Sequence, residues 1–188
     1  MTDIVDHNRH LAAVHAGALV KGDKSVVIAG SSGSGKSTLT MMMCLNGWKF
    51  VTDEVVVFSN NVISGAPRAF CLAETLAEKL FGQTVKFVKG IKRDKNYVYI
   101  NPQQVNIASG GNNSAVTHLI FPKKSLNENK IKQIPLSKAM YLLTDNLFDI
   151  CCHFKDKLDI LIDNIENVSA AELSWNDANS AVKEVADK

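Results

Sequence analysis

Eight consecutive residues, Gly30-Ser31-Ser32-Gly33-Ser34-Gly35-Lys36-Ser37, fit the spacing G-x-x-x-x-G-K-[ST], and Thr38 comes next. The chemistry this pattern serves is the grip on a phosphate chain. Such an anion needs several N–H donors converging on one place, and glycines let the backbone curl that tightly without Cβ clashes. A helix opening at Gly35 adds its unpaired N–H groups and the positive end of its dipole. Lys36 then reaches the β- and γ-phosphates, and the Ser37 hydroxyl is set on Mg2+. At average residue frequencies the pattern arises by chance in roughly one chain in a hundred and forty of this length. An incidental lysine on a flexible Gly/Ser loop is therefore the weaker reading, and the residues predict a P-loop that binds a nucleotide, ATP first, with Mg2+; GTP, ADP and pyrophosphate fit the same motif.

A metal held by phosphates also wants a carboxylate nearby. Asp53-Glu54 comes after the short apolar segment Trp48 to Val51, at the carboxyl end of an expected strand, where ligands of α/β sheets sit. Asp53 and Glu54 are together expected to meet the γ-phosphate and Mg2+; without the loop the pair would read as a solvated turn. His15 stands in an apolar stretch and is either a satisfied core histidine or a neighbour of the phosphates. His7, His10, His118 and His153 form no constellation. Arg68, after Pro67, could neutralise transition-state charge or simply be a surface arginine. Glu74 and Glu78, four apart, read as one solvated helix face, and Met41-Met42-Met43 reads as core packing.

These groups need elements to hold them. Leu11 to Val20 and Ser25 to Ala29 are apolar runs joined by Lys21-Gly22-Asp23-Lys24, which predicts a β-hairpin feeding the glycine-rich loop. A helix is expected from Lys36 to Leu45, stopped by Asn46-Gly47. Short strands are expected at Trp48–Val51, Val55–Phe58, Thr84–Val88, Tyr97–Ile100, Lys130–Ile134 and Ala170–Trp175, with Ala115–Phe121 closed by Pro122. Helices are expected over Leu72–Phe81, from Pro135 to Leu143, within Leu147–Ile165, and after an Asn176 cap to Ala186. Strands and helices interleave with hairpins, so the fold class is α/β with a mixed sheet.

The 188 residues, with no repeat or Pro/Gly-rich linker, fit a single domain spanning 1–188. A net charge of +2 gives no electrostatic reason to expect nucleic acid or a membrane as partner. No apolar run approaches the ~20 residues of a membrane span, and the start lacks a secretory pattern. Cys44, Cys71, Cys151 and Cys152 have no zinc or CxxC spacing and read as reduced thiols of a cytoplasmic protein, with Cys151-Cys152 as the redox-sensitive alternative.

The hairpin with His15-Ala16-Gly17-Ala18, the loop Gly30 to Thr38 and the step Thr52-Asp53-Glu54 together resemble the HPr kinase/phosphorylase-like proteins. Those proteins share a P-loop core with the ATP-dependent phosphoenolpyruvate carboxykinases. Ala66-Pro67-Arg68, Asn96 to Ile100, Leu119 to Pro122, Pro135-Leu136-Ser137 and Glu172 to Trp175 extend the likeness over nearly the whole chain, toward the small HPr-kinase-related proteins. The resemblance implies a kinase that places phosphate on a serine-type hydroxyl of a peptide, protein or small molecule. In it Lys36 binds phosphate, Ser37 the metal, Asp53 is the general base, Glu54 stands where a second aspartate is usual, and His15 lies beside the phosphates. It also leaves a homo-oligomer open. The glycine-rich signature with a further metal-binding glutamate, the C-terminal catalytic arginine and the N-terminal domain of full HPr kinases have no counterpart here, which counts against HPr itself as acceptor.

Two further readings compete. A nucleotide-binding regulatory module without efficient transfer would keep the loop and lack the arginine. A nucleoside- or shikimate-type kinase would carry an arginine-rich lid, yet Arg9, Arg68 and Arg93 are the only arginines. No LSGGQ-like or NKxD segment points to a transporter ATPase or a GTPase.

Overall fold

The computed structural model describes residues 9–82, 88–92, 95–127, 129–148 and 153–186. Strand β1 (Ala12–Lys21) turns at Gly22 into β2 (Lys24–Ala29), and the two pair antiparallel from Lys21↔Lys24 to Ala16↔Ala29. The glycine-rich loop leads from β2 into α1 (Lys36–Leu45). Then come β3 (Lys49–Thr52), β4 (Val55–Ser59), β5 (Val62–Ser64), β6 (Phe70–Ala73), α2 (Glu74–Phe81), β7 (Val88–Lys92) and β8 (Lys95–Ile100). The chain ends with β9 (His118–Lys124), β10 (Lys130–Gln133), α3 (Leu136–Thr144), α4 (Phe154–Ile165), β11 (Ser169–Trp175) and α5 (Ala178–Ala186).

The large sheet has the order β10-β11-β9-β2-β1-β4-β5, with β3 also paired to β1; β6-β8-β7 form a second, three-stranded sheet. β9 runs parallel to both β2 and β11, whereas every pairing of β1 is antiparallel. The sheet is therefore mixed, as the interleaving of hairpins and helices predicts. β2 shows why its sequence is continuously apolar. Val26 and Ile28 pack on the side of α1, α5 and the small sheet, and Val27 and Ala29 pack on the side of α3 and α4. A strand buried on both faces has no solvent side for polar residues. Phe50 of β3 and Phe70 of β6 join the two sheets with ring centroids 4.4 Å apart. α1 is buried nearly all round, with Leu39, Met41 and Met43 fully enclosed, so its methionines are core. No helix among the described residues is long and apolar enough to cross a membrane.

Three expectations are corrected. Leu72 does not begin a helix: Phe70 and Leu72 pair with Ile100 and Val98 and point into the core, and α2 starts only at Glu74. Cross-strand pairing here overrides helix-forming composition. Pro122 does not close β9, which runs on to Lys124 beside β11. Its ring faces Gly30, where β2 has already ended, so no ladder bond is lost there. Asn176 does not cap α5; Asp177 Oδ2 accepts from Ser180 N at 2.8 Å and from Ser180 Oγ at 2.9 Å. The helix expected within Leu147–Ile165 is α4, from Phe154, while Leu147 forms an isolated bridge to Val14. Residues 84–87 of the expected Thr84–Val88 strand, His7, Arg93, Cys151 and Cys152 lie outside the described residues, and Val88 opens β7.

The register along β1 decides which residues meet the start of α1. Thr52 lies opposite Ala18 and Val55 opposite His15, so Asp53-Glu54 is a two-residue interruption facing Ala16-Gly17. A Cβ on Gly17 would stand 2.4 Å from Thr40 Oγ1 of α1 and 3.5 Å from Asp53 Oδ1. The missing side chain is what lets the helix lie this close. Gly17→Ala is expected to destabilise the protein by about 1–3 kcal/mol, the usual cost of overpacking. Thr40→Ala in the same chain should recover most of that loss in denaturant titrations; a double variant no more stable than Gly17→Ala would refute the contact.

Candidate functional site

The loop after β2 turns its carbonyls inward. Lys36 Nζ donates to Gly30 O at 2.6 Å and to Ser31 O at 3.3 Å, and Ser34 N donates to Ser31 O at 3.2 Å. Ser34 O accepts from Trp175 Nε1 at 3.1 Å. Gly33 (φ 85°) and Gly35 (φ 97°) take left-handed conformations that side chains disfavour. Gly35 has a second reason to be glycine, since a Cβ there would lie 2.0 Å from the Trp175 ring. Sequence alone does not single out Trp175 as a site residue. Its only signal is position, at the end of an apolar strand.

Gly35 opens α1 without a side-chain cap and with no acidic residue in the first turn. The orphan N–H groups of that turn and the helix dipole favour an anion. They open into a front cleft of about 600 Å3, lined at this end by His15, Gly33, Gly35, Lys36, Ser37 and Thr38. A back cleft of about 800 Å3 lies across the loop, against Gly30, Ser31, Ser34, Pro122, Asp145 and Asn146. Ser32 and Gly33 line both.

Asp53 sits behind the first turn of α1. It is 8% exposed, and its Oδ1 and the Oγ1 of Thr40 are buried without hydrogen bonds. Burial pushes its carboxyl up to about 7, and the charge of Glu54 adds to this; the Ser37 hydroxyl, the Lys36 ammonium and the Thr40 hydroxyl pull the other way. Asp53, Lys36 and Ser37 are thus brought together as the sequence suggests. Asp53 lines neither cleft. Cys44 is core, its thiol pushed up to about 12 by burial and by Asp53. Cys71 lies in the front cleft wall.

His15 also reaches the front cleft. Its backbone N donates to Asn146 O at 2.7 Å, and its ring lies 6.0 Å from that of Phe148. Glu54 is placed differently from its expected position on the metal. It faces outward, its Oε2 3.0 Å from Arg68 Nη1, with both side chains about half exposed. The cause is the two-residue interruption between β3 and β4: adjacent residues there point opposite ways, so only one of the acidic pair can turn toward α1.

Among the described residues no group of three or more His, Cys, Asp or Glu forms a metal cage. Hard oxygens are nevertheless present in Ser37 Oγ and the Asp53 carboxylate, and they fit Mg2+, which commonly takes one or two protein ligands plus phosphate oxygens and waters.

No family model matches this chain, and no curated protein matches it. Among solved structures, the HPr(Ser) kinase/phosphatase from Coxiella burnetii is similar at 14% identity, over 92% of this chain and 90% of that one, with a TM-score of 0.40. The likeness is distant and assigns no activity to this chain.

A carboxyl raised from 3.8 to about 7 makes a signed prediction. The folded state holds this proton where the unfolded chain has lost it, so the contribution is fully present below about pH 4 and is lost as pH rises through about 7. Asp53→Asn cannot ionise. In metal- and nucleotide-free buffer, the variant should gain stability over the native chain between pH 4 and pH 8, by up to roughly 4 kcal/mol. Denaturant unfolding at both pH values checks this; a constant difference would contradict the burial of this charge.

Proposed function

We propose that this chain binds Mg2+–ATP at the glycine-rich loop and transfers the terminal phosphoryl group to a hydroxyl of an acceptor, a peptide, protein or small molecule. One observation carries the reading. A carboxylate with an unbonded, buried oxygen lies beside Lys36 and Ser37 at an uncapped helix N-terminus. Such a desolvated group is costly on its own, and its cost is offset where a cation or a transferring proton meets it.

The residues divide the work. The α1 amides and Lys36 neutralise the phosphate chain, for which Lys36 must exchange its loop carbonyls for phosphate oxygens. The Ser37 hydroxyl and Asp53 form the metal side of the site, since Glu54 is engaged with Arg68. Bound Mg2+ would supply charge neutralisation for the phosphate oxygens. Asp53 accepts the proton released by the acceptor's hydroxyl. His15 contributes a polar edge to the same cleft.

A second reading, a nucleotide-binding regulatory module, draws on the absence of Asp53 from the lining of either cleft. An acceptor's hydroxyl must then reach Asp53 through a water or a local shift.

Lys36→Ala should weaken Mg2+–ATP binding by about 2–3 kcal/mol, the range for a charge-assisted contact and its stranded partner. Asp53→Asn should lower kcat by ~10²–10⁴ while moving nucleotide affinity less than about tenfold. Intrinsic ATP hydrolysis, with water as the hydroxyl, serves until an acceptor is identified. Unchanged affinity in Lys36→Ala by calorimetry rules out the loop as the site. Wild-type hydrolysis in Asp53→Asn with affinity lost in Lys36→Ala favours the regulatory module.

A further inference from the structure

The front cleft has two chemically distinct ends. One is the helix N-terminus with Lys36, Ser37 and Thr38. One turn along the same face of α1, Met42 begins the other end. There the walls are α2, which presents Leu76 and Leu80 four residues apart and only partly buried, and the start of α5, which presents Ala178. Partly exposed apolar side chains on facing walls of a cleft suit a flat apolar object. The rim is not apolar. Asn176 and Asn179 are exposed at the start of α5, and each carboxamide offers both donors and an acceptor.

We propose that the slot between α2 and the start of α5 is the nucleobase subsite, with the faces of the base against Leu76 and Ala178 and its polar edge met by Asn179. The inference rests on the reading of the loop as a polyphosphate site and goes on to say where the organic part of the ligand lies. A polyphosphate anchored on the first turn of α1 can continue within the front cleft along the Thr38–Met42 face into this slot, the part of the cleft where apolar side chains gather. A nucleobase, apolar on its faces and polar on its rim, matches both the walls and the edge. Two features brace the slot. Trp175 forms its boundary with the loop through the bond to Ser34 O, so loop and slot share one rigid side chain. Lys79 on α2 adds to the Ser180 bonds in favouring the charged form of Asp177 at the start of α5, so the two walls carry opposite charges. Asp177 itself is committed to capping Ser180, so its charge is held at the helix end.

The competing occupant is an apolar group of the acceptor. It would put the acceptor's anchor at the end of the cleft away from Lys36 and Asp53, where its hydroxyl has to react.

Calorimetry with Mg2+–ATP and with Mg2+–tripolyphosphate, which has no base, separates the cases. The native protein is expected to bind ATP at least about tenfold more tightly than tripolyphosphate. Asn179→Ala, at an exposed position, and Leu76→Gln, of similar volume, should each shrink that ratio severalfold and leave tripolyphosphate affinity within about twofold. Equal affinity of the native protein for the two ligands overturns the slot and leaves the loop standing. So does an unchanged ratio in both variants, including the case where they instead alter the KM of an acceptor. Failure of the native protein to bind either ligand overturns the loop reading, and the slot with it.

Discussion

A single ionisable group, Asp53, is kept out of water under the first turn of a helix, and much of the surrounding structure serves to accommodate it. Its burial requires α1 to lie on β1 with almost no space between, and that approach requires glycine at position 17. The helix can sit so deep only because its residues are apolar nearly all round. It can carry a buried carboxylate at its start because its dipole and Lys36 favour negative charge there. The interruption between β3 and β4 then delivers Asp53 from a sheet edge to the helix, and β1 pairs with both halves of the interrupted strand so that the gap keeps its register.

The loop is held just as firmly from the other side. Three of its carbonyls accept side-chain bonds, from Lys36 and from Trp175. Ser34 O, held by the indole, does not oppose an anion even when Lys36 turns to it, and the amides at the start of α1 are left to face the cleft. Trp175 ends β11, and β11 reaches the loop strand only through β9. The parallel trio β2, β9 and β11 thus places three strand ends side by side, with the loop on one and its indole clamp on another. This is the carboxyl-end geometry that makes α/β sheets good binding platforms.

The parts readable from sequence are those governed by local rules. The hairpin shows as two apolar runs about a glycine turn, the loop as glycine spacing, and the end of α1 as Asn46-Gly47, where Asn46 Nδ2 indeed bonds Met42 O at 2.8 Å. Asp53 is legible only by its distance from the loop. Illegible parts depend on partners far along the chain. β6 is a strand because β8 lies beside it. Pro122 fits mid-strand because β2 has run out opposite it. Trp175 belongs to the loop because β9 and β11 carry it there. No local pattern separates Asp53 from Glu54; a pleat decides which one turns inward.

Phosphoryl transfer runs roughly in line, so the attacking hydroxyl and the leaving oxygen must approach the phosphorus from opposite sides. A site sealed behind a loop would hold a nucleotide and give an acceptor no approach. Here Ser32 and Gly33 border a cleft on each side, and Lys124 lines both. His15 and Asn146, joined by a backbone bond, tie the front cleft to the back one at the Glu54 end of the interruption, where His15 pairs with Val55. Under the proposed function, a donor laid along α1 in front leaves the back cleft open. Asp145 and Asn146 there offer polar groups to a hydroxyl-bearing molecule, and Lys123 and Lys124 offer positive charge. The glycine-rich loop is thus open on both of its faces, which is the access that the proposed transfer requires.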